Sequence, residues 1–268
     1  MHNSLFYSDK TPFIKILGAC GGKATNMQLT SLQLSKEIVI DAGNLVDGLG
    51  NGIKNINHIF ITHSHLDHIL DIGFLIDATY EIRKTPLKIY ARKGNIDNLK
   101  KHIFNWEIWP DFTQINLADS DLKSIEFIEI DLGETIEIDD CKIKAIENNH
   151  TSSSNGYVIE KENSAVMFTS DTYICDKIWE EINNNKKITT VIIDVSFSSD
   201  FEQLALNSKH LTPQLLKEEL KKLKRDDIKL HINHIKPFCK NEVMEEIIKG
   251  DLLLNDGAIL ESQDVIEF

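Results

Sequence analysis

The sequence contains little cysteine, and its four cysteines are widely separated: Cys20, Cys141, Cys175 and Cys239. No Cys-x-x-Cys pair occurs, which excludes a cysteine-based zinc knuckle and the closely spaced disulfides of small secreted proteins. We therefore expect free thiols, mostly buried, in a reducing compartment. This pattern favours a cytoplasmic protein.

Long apolar runs and excess positive charge are also missing. No run approaches the roughly 20 apolar residues of a membrane-spanning helix, so no membrane partner is expected. The segment 1–10 lacks the apolar centre of a signal peptide. With 29 Lys and Arg against 42 Asp and Glu, the net charge is −13, which argues against nucleic acid as a partner. A small anionic substrate is still compatible with this charge, because bound metal ions supply local positive charge.

Proline is scarce, with 5 in 268 residues, and no linker rich in Pro, Gly or Ser divides the chain. No internal repeat is visible. Hydrophobic residues make up 41% of the sequence, which is ample for a large core. The chain is therefore predicted to form a single domain over residues 1–268.

Short apolar strands alternate with helices along the chain. The predicted strands are 13–17, 29–34, 38–40, 56–62, 87–90, 125–130, 134–138, 142–146, 157–159, 165–168, 190–194 and 228–232. The predicted helices are 66–80, 95–104, 173–182 and 213–224, the last with Thr212 as its N-cap. Two strand-rich blocks with helices between and after them predict an α/β fold with two facing sheets and helices outside.

One motif carries most of the chemical information: His-Ser-His-Leu-Asp-His at residues 63–68, directly after an apolar run. It supplies four metal-ligating side chains at the exit of a predicted strand, the end of an open α/β sheet where sites form. His63 and His65 can face one ion, and Asp67 and His68 a second. Neutral imidazoles and a carboxylate suit zinc best, with manganese or iron as alternatives. So few protein ligands per ion leave a position for water, which is typical of a catalytic site.

Three further residues are candidates to complete the site. His150 lies in a loop after a predicted strand, although a surface histidine would fit the same position. Asp171 ends an apolar strand and can bridge two metals, but it can also cap the next helix. For the last position, His234 follows a predicted strand, whereas His231 lies inside it, where a side chain normally packs or faces solvent. We therefore favour His234 over His231.

This constellation resembles the metallo-β-lactamase fold over nearly the whole chain. The resemblance implies a four-layer αββα sandwich with a dinuclear metal site at the sheet edges, and two divalent ions as cofactors. The implied ligands are His63, His65 and His150 for one metal, Asp67, His68 and His234 for the other, and Asp171 as the bridge. Position 65 is His rather than Glu, which favours the hydrolases of this fold over its di-iron oxidoreductases.

Further segments resemble the class II 3′,5′-cyclic-nucleotide phosphodiesterases. They are 17–22 (Leu-Gly-Ala-Cys-Gly-Gly), 40–43 (Ile-Asp-Ala-Gly), 63–69, 104–110, 194–197, 208–213 (Ser-Lys-His-Leu-Thr-Pro) and 234–237 (His-Ile-Lys-Pro). Three positions depart from the family: Asp71 stands where a small residue is expected, Ser170 where Gly is usual, and Asp194 where Glu is more usual. These departures bear on substrate range more than on fold or metal binding.

The resemblance implies a hydrolase that opens the phosphodiester of cAMP or cGMP to a nucleoside 5′-monophosphate, by attack of a metal-bridging hydroxide. Asp67 would be both a ligand and the orienter of the hydroxide. His210 is the candidate proton donor to the leaving oxygen; the alternative is a histidine bonded to backbone at a helix start. Asp41 and Asp194, at strand ends, would orient ligand imidazoles or serve as plain turn and cap residues.

Two other features leave alternatives open. Gly21 and Gly22 fit a phosphate-cradling loop or, more simply, a tight turn. Trp106, Trp109 and Phe112 can stack on a purine, or fill a small cap or the contact of a homodimer. The competing function is a nuclease of the transfer-RNA 3′-end type, or another hydrolase of the same fold. Such a nuclease usually needs a basic exosite, for which this acidic chain has no obvious segment.

Overall fold

The structure is a computed structural model that describes residues 13–268; the segment 1–10, assessed above for a signal peptide, lies outside the described residues. In the described range the strands are Phe13–Gly18 (β1), Ser31–Gln33 (β2), Ile38–Ile40 (β3), His58–Phe60 (β4), Leu87–Ala91 (β5), Ile125–Glu129 (β6), Thr135–Ile138 (β7), Cys141–Ile146 (β8), Gly156–Lys161 (β9), Ser164–Phe168 (β10), Ile188–Asp194 (β11), Lys229–Asn233 (β12) and Val265–Glu267 (β13). The α-helices are Val46–Leu49 (α1), Leu66–Ile69 (α2), Asp71–Thr79 (α3), Lys93–His102 (α4), Asp176–Asn184 (α5), Glu202–Ser208 (α6), Pro213–Glu219 (α7) and Lys240–Lys249 (α8). Short 3-10 helices span Gly50–Asn55, Ser199–Phe201, Leu220–Lys222 and Pro237–Cys239.

The strands form two mixed sheets. The first has the spatial order β13-β1-β2-β3-β4-β5-β6, with parallel pairing from β3 to β6. The second has the order β12-β11-β10-β9-β8-β7, with parallel pairing among β10, β11 and β12. Strands β9 and β10, which the sequence predicted over 157–159 and 165–168, form a hairpin, because they pair antiparallel with Ser164 opposite Lys161.

Side chains along each strand alternate between an inner core and an outer one. In β3, Ile40 joins the core between the two sheets, whereas Val39 packs in the core beneath helices α3 and α4. In β11, Ile192 faces the inner core, whereas Val191 packs in the core shared with helices α5 to α8. The layers therefore run helix, sheet, sheet, helix, and the predicted four-layer αββα sandwich is confirmed.

The predicted helix 66–80 is wrong as one continuous helix, and the loop after β3 explains why. The Ala42 amide donates to the His68 carbonyl at 2.7 Å, and the Asp71 amide donates to the Ala42 carbonyl at 2.8 Å. These two groups are therefore unavailable to the helical ladder, and the chain is interrupted between α2 and α3. A Cβ at Gly43 would lie 2.1 Å from the Asp67 carbonyl oxygen, so only glycine allows the loop to approach this turn.

Two helix starts also test the predicted caps. Helix α5 begins at Asp176 with Cys175 as its N-cap, so the interpretation of Asp171 as a cap is wrong. Helix α7 begins at Pro213, and the Thr212 side chain accepts from the Leu215 amide at 3.2 Å, which confirms that cap. Within residues 13–268, no helix is long and apolar enough to cross a bilayer.

Candidate metal centre

Side chains from both sheets meet beyond the ends of their strands. The loop after β4 and helix α2 carry four of them, and loops after β8, β10 and β12 carry one each. The structure brings all seven predicted ligands together: His63, His65, Asp67, His68, His150, Asp171 and His234. Strand ends are where α/β sheets place sites, because side chains there are held by the sheet but not used in its packing.

The first group consists of His63, His65, His150 and Asp171, whose potential ligand atoms all lie within 4.8 Å of one another. Nδ1 of His65 lies 3.1 Å from Nε2 of His150. Oδ2 of Asp171 lies 3.6 Å from Nε2 of His63 and 3.8 Å from Nε2 of His150. Three imidazoles and one carboxylate therefore converge on a single point.

The second group consists of Asp67, His68 and His234. Nε2 of His234 lies 3.2 Å from Nε2 of His68 and 3.4 Å from Oδ2 of Asp67. Asp171 also faces this group, with Oδ2 3.3 Å from Nε2 of His68 and Oδ1 3.2 Å from Nε2 of His234. His231 lies elsewhere, since its Nδ1 accepts from the Ala258 amide at 3.1 Å. The geometry therefore places His234, and not His231, in the cluster.

The residues of the two groups fit divalent metal ions. Nε2 of His63 and Oδ1 of Asp171 are buried and have no hydrogen-bond partner within the described range. Buried polar atoms without partners are costly, and a cation at each group would satisfy them. A set of imidazoles with carboxylates is the ligand type that zinc prefers.

The charges of the cluster support the same interpretation. Burial lowers the pKa of His63 well below its usual value and lowers the pKa of His150 to about 4. Both imidazoles are therefore neutral near pH 7, with a ring-nitrogen lone pair for a metal. Burial disfavours ionisation of Asp171, but His234 and His68 outweigh it and hold the pKa of this carboxyl well below its usual range. Burial likewise disfavours protonation of His68, but Asp171 and Asp41 outweigh it and raise its pKa well above the usual value.

Residues outside the cluster fix the orientation of its imidazoles. Nδ1 of His68 donates to Oδ2 of Asp41 at 2.7 Å, and Thr62 holds the same carboxylate through its amide and hydroxyl. Nδ1 of His150 lies 3.0 Å from the carbonyl oxygen of Lys209. With Nδ1 used in this way, Nε2 of each ring is left for the centre. Asp41 therefore has the orienting position that the sequence predicted.

His210 also lies at the cluster. Its Nδ1 donates to Oδ2 of Asp194 at 2.8 Å rather than to backbone, and its ring stacks on that of His234 with centroids 5.3 Å apart. Burial disfavours protonation of this imidazole, but Asp194 outweighs the effect and raises the pKa of His210. The Ser196 hydroxyl donates to Oδ1 of Asp194 at 2.6 Å and lies 3.0 Å from Nδ1 of His234. No role was predicted for Ser196, although it lies in the segment 194–197 that resembles the phosphodiesterases, two residues after a strand-end aspartate.

Three residues of the site have left-handed backbone: Asp41 with φ of 57°, Ser170 with φ of 54° and His234 with φ of 68°. This conformation costs non-glycine residues energy, and such strain collects at functional sites. The phosphodiesterases that this sequence resembles usually have Gly at position 170, and the positive φ there gives the physical reason for that preference.

At Gly21 and Gly22 the structure shows close packing against a neighbouring segment, rather than a phosphate-binding loop. A Cβ at Gly21 would lie 2.5 Å from the His234 carbonyl oxygen and 2.7 Å from its Nδ1. A Cβ at Gly22 would lie 2.8 Å from Cδ of Pro237. Both glycines thus allow the loop after β1 to pack closely against the segment that carries His234.

The three aromatic residues predicted as one surface cluster have different surroundings in the structure. Phe112 is buried and packs on Tyr80, and Trp109 contacts Phe74 edge to face. Trp106 is 59% exposed. The expectation that all three rings lie in a surface segment is therefore wrong for Phe112, because the sequence pattern does not show which ring is buried.

One charged residue near the site was not predicted. Nζ of Lys236 lies 3.8 Å from Oδ2 of Asp67 and donates to the Gly21 carbonyl at 2.5 Å. An ammonium group has three donors, so this lysine retains capacity for a further acceptor. Its contact with Gly21 spans 215 positions of sequence, which explains why local patterns do not reveal it.

Comparisons with known proteins agree with this fold. A profile of the beta-lactamase superfamily domain matches residues 38–232. The chain is similar to a probable 3′,5′-cyclic-nucleotide phosphodiesterase of Yersinia pestis, with 24% identity over 93% of this chain and 86% of that protein. It is also similar to ribonuclease Z of Clostridium acetobutylicum, with 28% identity over 66% of this chain and 59% of that protein. Among solved structures, unliganded yeast PDE1 has the same fold, with a TM-score of 0.76, 18% identity and coverage of 96% of this chain and 100% of that one.

Proposed function

Because the chain belongs to the beta-lactamase superfamily, we propose that it is a metal-dependent phosphodiesterase that hydrolyses 3′,5′-cyclic nucleotides to nucleoside 5′-monophosphates. The proposed ligands are His63, His65 and His150 for one divalent ion and Asp67, His68 and His234 for a second. Zinc suits these side chains best, with manganese or iron as alternatives. When bound, such ions lower the pKa of water and offset negative charge on a phosphoryl group.

The observation that carries this proposal is the position of Asp171 between the two groups. Its Oδ2 lies 3.6 Å from Nε2 of His63 in the first group and 3.3 Å from Nε2 of His68 in the second. One carboxylate oxygen therefore faces both groups, as a bridging ligand must. A site for two ions suits a phosphodiester, whose reaction needs charge stabilised on both the attacking and the leaving side.

The chain's own residues would bind and orient the substrate. Asp67 is partly exposed, unlike the buried His68 and Asp171, so its carboxylate can accept a hydrogen bond from the attacking water. Lys236, beside Asp67, would donate to a non-bridging phosphate oxygen. The net charge of −13 makes such a local cation important for attracting a small anion.

His210 would donate the proton that the leaving oxygen needs. Asp194 holds Nδ1 of His210 at 2.8 Å and favours the protonated ring. In this proposal, Nε2 of His210 gives its proton to the 3′ oxygen as the phosphorus–O3′ bond breaks. The new bond would join phosphorus to the water oxygen, and one proton of that water would pass through its hydrogen bond to Asp67 and on to solvent. The ring would open, and the product would be a nucleoside 5′-monophosphate.

The second candidate is a nuclease that processes RNA ends. It is favoured by the similarity to ribonuclease Z, at 28% identity over 66% of this chain. The excess of acidic residues argues against it, since RNA binding depends on cationic contacts to phosphates. A cyclic mononucleotide has one phosphodiester and needs no extended basic surface.

The test is a substrate panel with purified, zinc-loaded protein. We expect cAMP or cGMP to give the 5′-monophosphate, resolved by chromatography, and a precursor transfer RNA to stay intact. Cleavage of the RNA at its 3′ end, with both cyclic nucleotides unchanged, would replace our proposal with the nuclease. A matched control is the His65→Ala variant, which should lose the activity on every substrate.

A further inference from the structure

A chain of aromatic contacts leads from the cluster to solvent. The Phe197 ring meets His210 edge to face, with centroids 5.6 Å apart, and lies 6.0 Å from the Phe238 ring. Phe201 in turn meets Phe238 edge to face at 5.2 Å. We call Phe197, Phe201 and Phe238 the aromatic wall. It begins at the candidate proton donor and ends at the protein surface.

The outer part of the aromatic wall is exposed, and its two rings pack on each other. Phe197 is 4% exposed, whereas Phe201 is 41% and Phe238 is 59% exposed. Phe238 lies in the 3-10 helix Pro237–Cys239, between a proline and the buried Cys239. Because its neighbours fix this backbone, the ring is presented to solvent without a large loss of freedom on binding.

The residue just before this helix provides the matching charge. Lys236 reaches Oδ2 of Asp67 at 3.8 Å, and Phe238 lies two residues further along the same segment. A cation at the cluster, and an exposed flat ring two residues further along the chain, complement a ligand with an anionic group and a flat aromatic group. A nucleotide has both.

A second apolar surface is formed around Leu66, Phe74 and Trp109. It encloses a cleft of about 130 Å³. Trp109 is already packed there against Phe74, and a Cβ at Gly73 would lie 3.0 Å from its indole nitrogen. Among the described residues, the phenylalanine ring in contact with His210 is that of Phe197, whereas Trp109 contacts Phe74.

We infer that Phe238 is a specificity-determining residue that stacks on the base of the nucleotide, with Phe201 behind it. This inference rests on the proposed function and adds the part of the site that selects a base. Stacking of a base on an aromatic ring is sequence-tolerant, so Phe238 would favour any purine or pyrimidine over a substrate without a base.

The test compares Phe238→Ala with Trp106→Ala, which removes an equally exposed ring at 59%. KM is measured for cAMP and for the 3′,5′-cyclic phosphate of 1-deoxyribose, which has no base. We expect Phe238→Ala to raise KM for cAMP by about 5- to 150-fold, the equivalent of about 1–3 kcal/mol, and to leave the base-free substrate unchanged. Phe238→Tyr should restore most of the loss, and Trp106→Ala should change neither substrate.

Equal effects of Phe238→Ala on both substrates, or no effect on either, would overturn the inference. A larger effect of Trp106→Ala on cAMP would also overturn it. A binding measurement separates this outcome from failure of the proposed function. Calorimetric titration with AMP and with ribose 5-phosphate needs no hydrolysis, and Phe238→Ala should weaken only AMP binding. If the protein does not hydrolyse cAMP, the proposed function is wrong. The titration with AMP still decides whether Phe238 binds the base.

Discussion

Nδ1 of His210 donates to Oδ2 of Asp194 across 2.8 Å, and both side chains are buried. The same carboxylate accepts from Ser196, whose hydroxyl lies 3.0 Å from Nδ1 of His234. Asp194 thus holds the candidate proton donor directly and reaches a candidate metal ligand through one hydroxyl. This link makes the roles of His210 and His234 separable by experiment.

Replacing His210 with Ala should lower kcat by about 10²- to 10⁴-fold, the usual range for a general acid, and leave the metal content unchanged. A substrate with a nitrophenyl leaving group needs less protonation and should lose less activity. The control is His102→Ala, at an exposed position of α4. Loss of metal from the His210 variant would instead identify His210 as a ligand, since its ring also lies near Asp171 and His234.

Replacing Lys236 with Met should raise KM for cAMP by about 10- to 150-fold, because a hydrogen bond to a charged group contributes about 1.5–3 kcal/mol. Metal content should not change, and Lys236→Arg should keep part of the affinity. Lys240→Met is the matched control, since Lys240 pairs with Glu261 at 3.0 Å and does not reach Asp67 in the structure. An unchanged KM for Lys236→Met would show that this ammonium does not contact the phosphate.

Replacing Gly21 with Ala should destabilise the metal-free protein by about 1–3 kcal/mol and weaken zinc binding, because the new Cβ would collide with His234. Urea unfolding and zinc titration measure the two effects. Gly52→Ala is the control, since the nearest atom to its Cβ would be 3.6 Å away, an ordinary contact. Equal stabilities of the two variants would contradict the packing role of Gly21.

Replacing Ser170 with Gly should raise the free energy of unfolding by about 0.5–1 kcal/mol. Relief of left-handed strain is worth about 1–2 kcal/mol, and the extra backbone entropy of glycine costs about 0.5–1 kcal/mol. The change also removes a buried hydroxyl without a partner within residues 13–268. The reverse change, Gly133→Ala, is made at an open position with φ of 83° and should destabilise the protein. A stability loss for Ser170→Gly in denaturant titration would refute the strain account.

The sequence predicted which residues of the cluster lie together, because four of them fall within residues 63–68 and the others follow apolar strands. It predicted two facing sheets because two strand-rich blocks have helices between and after them, and the four-layer order followed from the family resemblance. It did not predict the break between α2 and α3, which depends on Ala42 in another element. It also grouped Phe112 with Trp106, although Phe112 is buried and Trp106 is exposed, because only packing decides which ring is buried. Strand β13 and helix α8 were not predicted either, and the contact of Lys236 with Gly21 joins residues 215 positions apart.

Our central claim is that hydrolysis depends on two metal ions shared through Asp171. The most direct measurement is a zinc titration of metal-free protein, in which bound metal and cAMP hydrolysis are recorded together. We predict that activity rises only as occupancy approaches two ions per chain, and that Asp171→Asn reaches neither full occupancy nor activity. Full hydrolysis of cAMP by metal-free protein, or by the Asp171→Asn variant, would contradict the account.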